Sequence, residues 1–424
     1  MPSKIEQIFK ARDLRNKIFF VLAMLAFFRL AAHIPIPSVD TMKLREFFAD
    51  NQAFGLLNLF SGGGMENFSI VTMGVAPYIT ASIIFQLLAM IVPKLEEMNK
   101  EEQGRAKINQ WTRWATIPIA ILQSYSVIML LKNSTTGVVS AMSPLSWVTA
   151  IATITAGTIL LMWIGELITE KKIGNGISIM IFAGIVSGLL GQLQQFVATY
   201  DPSMIFTVIS FAVVAIATVV GVVIINEGQR NIPVQYARQI RGARAVGGSS
   251  SHLPLRVNMA GVMPIIFAVS VITFPQMIAQ FFVRSQSSWL SAMAGKLVAL
   301  SNNGLIYGIL YFVLVFGFTY FYTEVVFHPK QIAENLQKQG GFIPGIRPGR
   351  HTSEYLSDTV HKVIFAGALF LAGIAVMPLL IKIWAGNTPG MTIGGTSILI
   401  VVSVVIESVK QVEAQLSMRE YDVM

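Results

Sequence analysis

Ten long apolar runs constrain this chain more than any other feature of its sequence. Each has about 18 residues or more, enough to cross a bilayer as a helix. They lie at 18–36, 68–92, 114–131, 147–168, 176–196, 205–225, 259–283, 304–327, 362–384 and 391–409. Only 12% of the residues are charged, whereas ordinary soluble domains have about 25%. The sequence therefore predicts an all-α polytopic membrane protein with ten transmembrane helices.

The basic residues predict how these helices are oriented. If the N-terminus faces the cytoplasm, the cytoplasmic segments contain 24 Lys and Arg residues and the opposite segments contain 6. An excess of this size, about four to one, is typical of cytoplasmic loops. Both termini are therefore expected in the cytoplasm.

A broken apolar element at 55–93 is the most unusual part of the chain. The short apolar segment 56–60 ends at three consecutive glycines, 62–64, and the long run 68–92 follows. Breaks at membrane depth are tolerated where protein or a water-filled cavity satisfies the backbone, and they often mark a transport pathway. A re-entrant or interfacial helix without a transport role is the alternative.

The two halves of the chain share a motif. The octets GVAPYITA at 74–81 and GVMPIIFA at 261–268 both match G-V-x-P-x-I-x-A, and they lie in the second and seventh predicted spans. A repeat of five spans must be inverted in the membrane, as in many transport folds. We therefore divide the chain near Tyr200, into an N-terminal half at 1–200 and a C-terminal half at 201–424.

Two basic loops are too long to be simple connections. The loop at 226–258 contains five arginines and no lysine, and the loop at 328–361 contains Arg347 between glycine- and proline-containing turns. Long loops in compact folds are usually functional or disordered, and the apolar residues among the arginines favour order. Arginine in preference to lysine suggests recognition of phosphate or carboxylate, on RNA or on an acidic protein.

The sequence offers little for catalysis, for metal or cofactor binding, or for ion-coupled transport. It has no cysteine, no HExxH motif and no GxxxxGK[ST] motif. The ionisable residues inside the predicted spans include Arg29, Glu166, Lys382 and Glu407. The last three lie near span ends, where long side chains reach the interface, so only Arg29 is expected to need a partner within the membrane. We therefore expect neither an enzyme nor a cofactor.

Isoleucines at regular spacing suggest a constriction. Ile79 and Ile83 lie on one helical face, as do Ile177 and Ile181, and Ile266 is equivalent to Ile79 in the repeat. Contact with lipid or with a packed core is the commoner explanation for any single isoleucine. A narrow apolar neck that seals a pore is the alternative.

Five long motifs occur along both halves of the chain: GVAPYITASIIFQLL at 74–88, ITEKKIGNGISIMIFAGIV at 168–186, the segment 232–264, GGFIPGIRPGRHTSEYL at 340–356 and GGTSILIVV at 394–402. Together they resemble the motifs of the SecY family, the channel subunits of the bacterial protein translocase. The resemblance implies two inverted, pseudo-symmetric halves around a central hourglass pore with a plug helix. It also implies a lateral opening towards lipid between the second, third, seventh and eighth spans.

The resemblance further implies which residues line and close the pore. The pore ring consists of Ile79, Ile83, Ile177, Ile181, Ile266 and Ile400. Ser270 follows Ile266 by one turn, so the ring is expected to be less uniform there. The plug consists of Leu56, Leu57, Asn58, Leu59, Phe60, Ser61, Gly62, Gly63, Gly64 and Met65.

Partners and location follow from the same resemblance. The two basic loops would dock the ribosome and the motor ATPase SecA through Arg238, Arg241, Arg244, Arg347 and Arg350. The small membrane subunits SecE and SecG would clamp and flank the channel in the bacterial inner membrane. Secretory and membrane-protein precursors with signal sequences would be the cargo, and membrane lipids would surround the chain.

These observations predict a passive, gated channel for unfolded polypeptides. A secondary transporter that uses the inverted repeat for alternating access is the alternative, but the few ionisable groups near the midplane and the large basic loops argue against it. A membrane-embedded hydrolase or transferase would need polar catalytic groups in the spans.

Overall fold

The computed structural model describes residues 11–37, 43–44, 61–65, 67–133, 143–198, 205–236, 239–241, 244–246, 250–282, 287–385 and 395–423. The first half contains α1 (Arg12–Ala31), α2 (Ala76–Ile91), α3 (Pro93–Lys100), α4 (Glu102–Asn133), α5 (Pro144–Glu170) and α6 (Gly176–Ala198). The second half contains α7 (Ile205–Glu227), α8 (Met263–Phe282), α9 (Ser288–Asn302), α10 (Gly304–Val326), α11 (Pro329–Lys338), α12 (Arg350–Ala385) and α13 (Gly395–Val423). The strands are β1 (Gln229–Tyr236), β2 (Gln239–Arg241), β3 (Arg244–Val246), β4 (Ser250–Arg256) and β5 (Gly341–Phe342).

Each predicted span overlaps one long helix. In chain order these helices are α1, α2, α4, α5, α6, α7, α8, α10, α12 and α13. Within the described residues, five helical stretches are long and apolar enough to cross a membrane, and the bent pair α2–α3 would make a sixth. The structure is thus that of a helical membrane protein, and the number of ten crossings stays a prediction.

The helix of the second predicted span begins later than the sequence predicted. Residues 67–75 form turns, and α2 starts only at Ala76. The turns are held against the end of α1, because Ile36 N–H donates to the Phe68 carbonyl at 2.9 Å and Ile70 N–H donates to the Ile34 carbonyl at 3.0 Å. These bonds satisfy backbone groups that a broken element would otherwise leave unpaired.

The first helix is shifted in the opposite direction. The sequence predicted a span at 18–36, whereas α1 runs from Arg12 to Ala31. Pro35 forms an isolated bridge with Ser69 instead of continuing the helix. Proline in a helix interior lacks the N–H and clashes with the preceding turn, so the apolar residues after Ala31 pack as a turn.

The two repeat octets adopt the same local conformation. Gly74 and Gly261 both have positive φ, 55° and 62°, which glycine adopts without steric cost. In each case a helix begins two residues later, and a proline follows within the first turn, where its missing N–H is tolerated. This local match supports the predicted repeat. The division into halves near Tyr200 stays a prediction.

The two basic loops form one β subdomain, which we define as β1, β4, β5, α11 and the first turns of α12. Strand order is β4-β1-β5, and both pairings are antiparallel. Inward residues alternate along β1, so Ile232 and Val234 are buried. They share an apolar cluster with Leu255, Ile343 and Leu356. The sequence prediction that these loops are ordered is confirmed for the described residues.

The main apolar core joins the two halves. One cluster of buried residues draws on α1, α2, α5 and α6 from the first half and on α7, α8, α10, α12 and α13 from the second. A smaller cluster beside it joins the turns at 61–65 and 67–75 to α4 and α5. The place where α2 meets α8 therefore lies inside the molecule, and the predicted constriction falls there.

Candidate functional site

Ile79 and Ile266 occupy equivalent places at the meeting of the two halves. Each is the fourth residue of its helix, α2 or α8, and only 7% and 3% of their surfaces are exposed. Both line one small cavity of about 20 Å³, which is room for about one water molecule. The cavity walls are Met65, Met73, Ala76, Ile79, Thr80, Gln123, Ile266, Val269, Ser270 and Thr273.

The other predicted ring residues belong to the same apolar cluster. Ile83, Ile181 and Ile400 are buried within it, and Ile177 is half-buried against it. They come from α2, α6 and α13, so five of the six isoleucines that the sequence singled out lie in the cluster and the sixth, Ile177, packs against it. Of these six, Ile79 and Ile266 line the cavity itself.

Ser270 lies one turn after Ile266 and faces the cavity. Its hydroxyl donates to the Ile266 carbonyl at 2.9 Å. Thr80 and Thr273 behave alike, since their hydroxyls donate to Ala76 and Val269 carbonyls at 3.0 and 2.9 Å. These bonds occupy the hydroxyl protons, so the polar side chains offer less to water in the cavity.

Gln123 is the cavity residue that sequence reasoning missed. Its Nε2 lies 3.5 Å from Thr80 Oγ1, at the limit of a hydrogen bond. Its Oε1 is buried and has no partner among the described residues. An unpaired buried amide oxygen costs about 1–3 kcal/mol. A lone amide in the middle of the apolar run 114–131 was the available signal.

The predicted plug is only partly described. Residues 56–60 lie outside the described residues, and 61–65 form turns instead of a helix. Met65 N–H donates to Ser61 Oγ at 3.1 Å, and Ser69 N–H donates to the Gly64 carbonyl at 2.9 Å. Met65 is buried and reaches the cavity beside Ile79. The end of the predicted plug therefore lies against the predicted neck.

Arg29, which was expected to need a partner within the membrane, has one in the glycine turn. It lies in the last turn of α1, and its guanidinium donates to the carbonyl of Gly62. The contact ties α1 to the glycine turn. Glu166, near the end of its predicted span, pairs with Arg113 Nε at 2.7 Å. Neither residue lines the cavity, so the described neck is free of ionisable side chains.

The predicted docking arginines differ in their surroundings. Arg347 is exposed between Gly345 and Gly349, both at positive φ, and forms no ion pair with a described residue. Arg350 Nε instead donates to Glu354 Oε1 at 2.8 Å. That hydrogen bond lowers the pKa of Glu354, which precedes the predicted span at 362–384. Arg347 is therefore the more available charge of the two.

The first loop also contains a second hairpin, β2–β3. Arg241 and Arg244 are partners in the β2–β3 pairing, whereas Arg238 and the side chains of 237–250 lie outside the described residues.

Within the described residues no group of His, Asp and Glu could hold a metal ion.

A polar junction connects the β subdomain to α13. Asn226, at the end of α7, donates from Nδ2 to Ser403 Oγ at 2.6 Å. Asn258, just after β4, donates to Asn226 Oδ1 at 2.7 Å and to the Gly261 carbonyl at 3.2 Å. Ser403 lies three residues after Ile400. The junction therefore reaches from the subdomain to the neck cluster within one helical turn.

The fold and this site define a class. The chain is a helical membrane protein in which helices from both parts of the sequence meet in one apolar cluster, with a basic β subdomain formed by two loops. The SecY family model matches residues 69–409. Protein translocase subunit SecY of Corynebacterium glutamicum is 44% identical over 99% of both chains. The chain belongs to the SecY family.

Two solved structures share the fold. One is described as showing that the plug domain of the SecY protein stabilises the closed state of the translocation channel and maintains a membrane seal. It matches with a TM-score of 0.62 at 17% identity, over 94% of this chain and 91% of the other. The second is Sec61 in the canine ribosome–channel complex from the endoplasmic reticulum, with a TM-score of 0.59 at 16% identity and the same coverage.

Proposed function

We propose that this chain is the pore subunit of a protein translocase. Unfolded secretory polypeptides cross the membrane through it, and hydrophobic segments leave it sideways into lipid. The carrying observation is the cavity at the contact of α2 and α8, where the equivalent isoleucines of the two repeats meet. Membership in a family of translocase subunits supports the same function.

The apolar neck explains how such a channel is sealed at rest. Branched apolar side chains offer no hydrogen bonds to water or ions, so a narrow neck loses its water. Isoleucine is stiff at χ1 and therefore gives the neck a defined shape. The neck is also able to part, since no strong directional bond between the ring residues must break. We propose Ile79, Ile83, Ile177, Ile181, Ile266 and Ile400 as this ring, and 56–65 as a plug that adds a second barrier.

The β subdomain suits a docking surface. Its strands and apolar core hold Arg347 at an exposed tip, where a fixed guanidinium is able to pair with a partner. We propose that Arg238, Arg241, Arg244, Arg347 and Arg350 contact the ribosome and SecA, and that SecE and SecG accompany the chain. The bacterial inner membrane, with both termini in the cytoplasm, is the proposed location. We propose no enzymatic activity.

Reconstitution tests the function directly. The chain is placed in vesicles with SecE and SecG, and SecA with ATP drives a secretory precursor into the lumen, where it becomes protected from protease. Precursors with and without a signal sequence form a matched pair. Uptake of the former supports the proposal. Uptake of small solutes coupled to an ion gradient, without uptake of precursor, would instead support a secondary transporter.

The docking proposal has its own test. Arg347→Glu should leave membrane insertion intact and weaken SecA-driven uptake, since losing a charge contact in an interface costs about 2–5 kcal/mol. Arg350→Glu is the matched control with a smaller expected effect, because Arg350 already pairs with Glu354. Unchanged SecA binding and uptake in Arg347→Glu would remove Arg347 from the docking surface.

A further inference from the structure

Helix α9 connects α8 to α10 at the end of these helices remote from the β subdomain. Helix α8 begins seven residues after β4 and extends for 20 residues, or about 30 Å, which is the thickness of the hydrocarbon core. Its far end is thus near the opposite membrane surface. Asn303, the one residue between α9 and α10, caps α10 by accepting from Leu305 N–H at 3.2 Å. Because α9 lies between the far end of α8 and the start of α10, we expect it near that membrane surface.

The surface of α9 divides into three sides at 3.6 residues per turn. The protein side contains buried Ala294 with half-buried Ser291 and Val298, packed towards α8 and α10. A second side is small or polar and exposed, at Ser288, Ala292 and Ala299. The third side is large, apolar and exposed, at Trp289, Met293 and Leu297.

The apolar side is too exposed for a helix in water. Trp289 is 68% exposed, Met293 47% and Leu297 42%, and their i, i+4, i+8 spacing makes one continuous stripe. Apolar residues of the neighbouring helices are exposed as well, Phe282 at the end of α8 and Leu305 at the start of α10. Since the stretch that begins with α10 is long and apolar enough to span a membrane, exposed apolar side chains next to its first turn are expected to face lipid.

Charge complements this arrangement. Lys296 lies between the exposed small side and the apolar stripe, and it is exposed and forms no ion pair with any described residue. Lysine near an interface extends its ammonium group towards lipid phosphates. Tryptophan is enriched at the same depth, where its ring is buried and its N–H is hydrated. The apolar side of α9 therefore suits acyl chains, Lys296 suits lipid phosphates, and the small or polar side suits water.

We propose that α9 is an interfacial helix that binds the lipid surface. Trp289, Met293 and Leu297 enter the boundary between headgroups and acyl chains, and Lys296 pairs with anionic phosphates. Because α9 packs on α8, which carries Ile266, the lipid surface then holds the far end of one helix of the neck. The proposal concerns the idle chain, so it stands or falls independently of transport.

Site-directed fluorescence tests the proposal. Because the chain has no native cysteine, the dye attaches only at the introduced position. Single variants Met293→Cys and Leu297→Cys report the apolar side, whereas Ser288→Cys and Ala292→Cys are matched controls on the same helix. Each full-length variant is labelled with a nitrobenzoxadiazole dye and placed in phosphatidylcholine vesicles with or without phosphatidylglycerol. Circular dichroism verifies that each variant keeps its helix content.

Quenching by shallow doxyl lipids should be about threefold stronger at positions 293 and 297 than at the controls, as for an interfacial helix. Aqueous iodide should give the reverse order. Phosphatidylglycerol should increase the lipid quenching at 293, and Lys296→Gln should remove that increase. Equal iodide access on both sides would overturn the proposal. Protection of 293 only after SecE and SecG are added would also overturn it, because the stripe would then be a protein interface.

Discussion

The neck and the β subdomain use opposite kinds of contact. At the neck, Ile79 and Ile266 meet across a small cavity, and the nearby polar groups bond within their own helices or, in the case of Gln123, only at 3.5 Å. In the β subdomain, seven residue pairs align β1 with β4, and Leu356 is fully buried in its core. Among the described residues, the polar groups that line the neck cavity contribute only the long Gln123–Thr80 contact between helices, whereas the β subdomain is built on directional bonds.

This contrast indicates which region moves. Apolar contacts depend little on direction, so the helices at the neck are able to separate and return without breaking a network. A hydrogen-bonded sheet with an apolar core keeps one geometry, which suits a surface that presents Arg347 to a partner. The following predictions test this contrast, from the largest expected effect to the smallest.

Changing Ile83, Ile181 and Ile400 together to asparagine should damage the neck most. Each buried amide without a partner costs about 1–3 kcal/mol in the closed state, and the amides allow water and ions to enter. Single-channel recordings in a planar bilayer should show a raised resting conductance. The matched control changes the same residues to valine, which keeps the lining apolar. A triple asparagine variant as tight as the valine variant, with 56–65 also deleted, would show that these residues face lipid or core.

Leu356→Ala should loosen the β subdomain and leave the neck closed. The lost contacts and the remaining cavity cost about 2–5 kcal/mol. Hydrogen exchange of β1 amides should accelerate, whereas resting conductance should stay at the wild-type level. Leu369→Ala is the control, because Leu369 lies in the same helix and is 50% exposed. A leak comparable to that of the triple asparagine variant would show that the two regions are not independent.

Gly176→Ala should force α5 and α6 apart at the neck. A Cβ at Gly176 would lie 1.9 Å from the Gly165 carbonyl oxygen, and overpacking of this kind costs about 1–3 kcal/mol. The thermal unfolding midpoint in detergent should fall. Gly188→Ala in the same helix meets no atom within 4 Å, so its midpoint should rise or stay constant, since alanine favours helix. Equal midpoints for both variants would contradict the close packing of α5 on α6.

Ser403→Ala should have the smallest effect and should act on the junction between the regions. It removes the acceptor of Asn226 Nδ2, which contributes about 1 kcal/mol. Hydrogen exchange at 257–261 should accelerate modestly, and Ser403→Thr should restore protection because it keeps the hydroxyl. Protection that is identical in the alanine and threonine variants would exclude a role for this contact.

The sequence predicted the local features of the fold well. Apolar run length predicted a long helix at each of the ten places, and the shared octets indicated a repeat whose two copies have the same local conformation at the starts of α2 and α8. The start of the second predicted span was predicted less well, because there the chain packs against a segment distant in sequence. The turns at 67–75 contain the same apolar residues as a helix, and their bonds to Ile34 and Ile36 come from another part of the chain. A composition-based prediction of a span does not include such bonds.

The candidate site was predictable in part. The spacing of Ile79 and Ile83, and the match of Ile266 with Ile79, indicated the lining of a neck. The family resemblance added Ile400. Gln123 was missed because its contact with Thr80 joins residues 43 positions apart. Arg350 pairs with Glu354 at i, i+4 on α12. The sequence alone did not show that Arg350 is paired in this way whereas Arg347 is exposed.

The sequence by itself determined the class of molecule, the places of its apolar helices and the basic character of its two long loops. These depend on run length, on the φ angles open to glycine and proline, and on composition, all of which are local. Only the tertiary structure decided that β5 joins β1 across the two loops, that Met65 closes on the cavity and that α9 exposes an apolar stripe. The physical reason is that the face a helix buries is set by its neighbours in space, and periodicity alone does not name those neighbours.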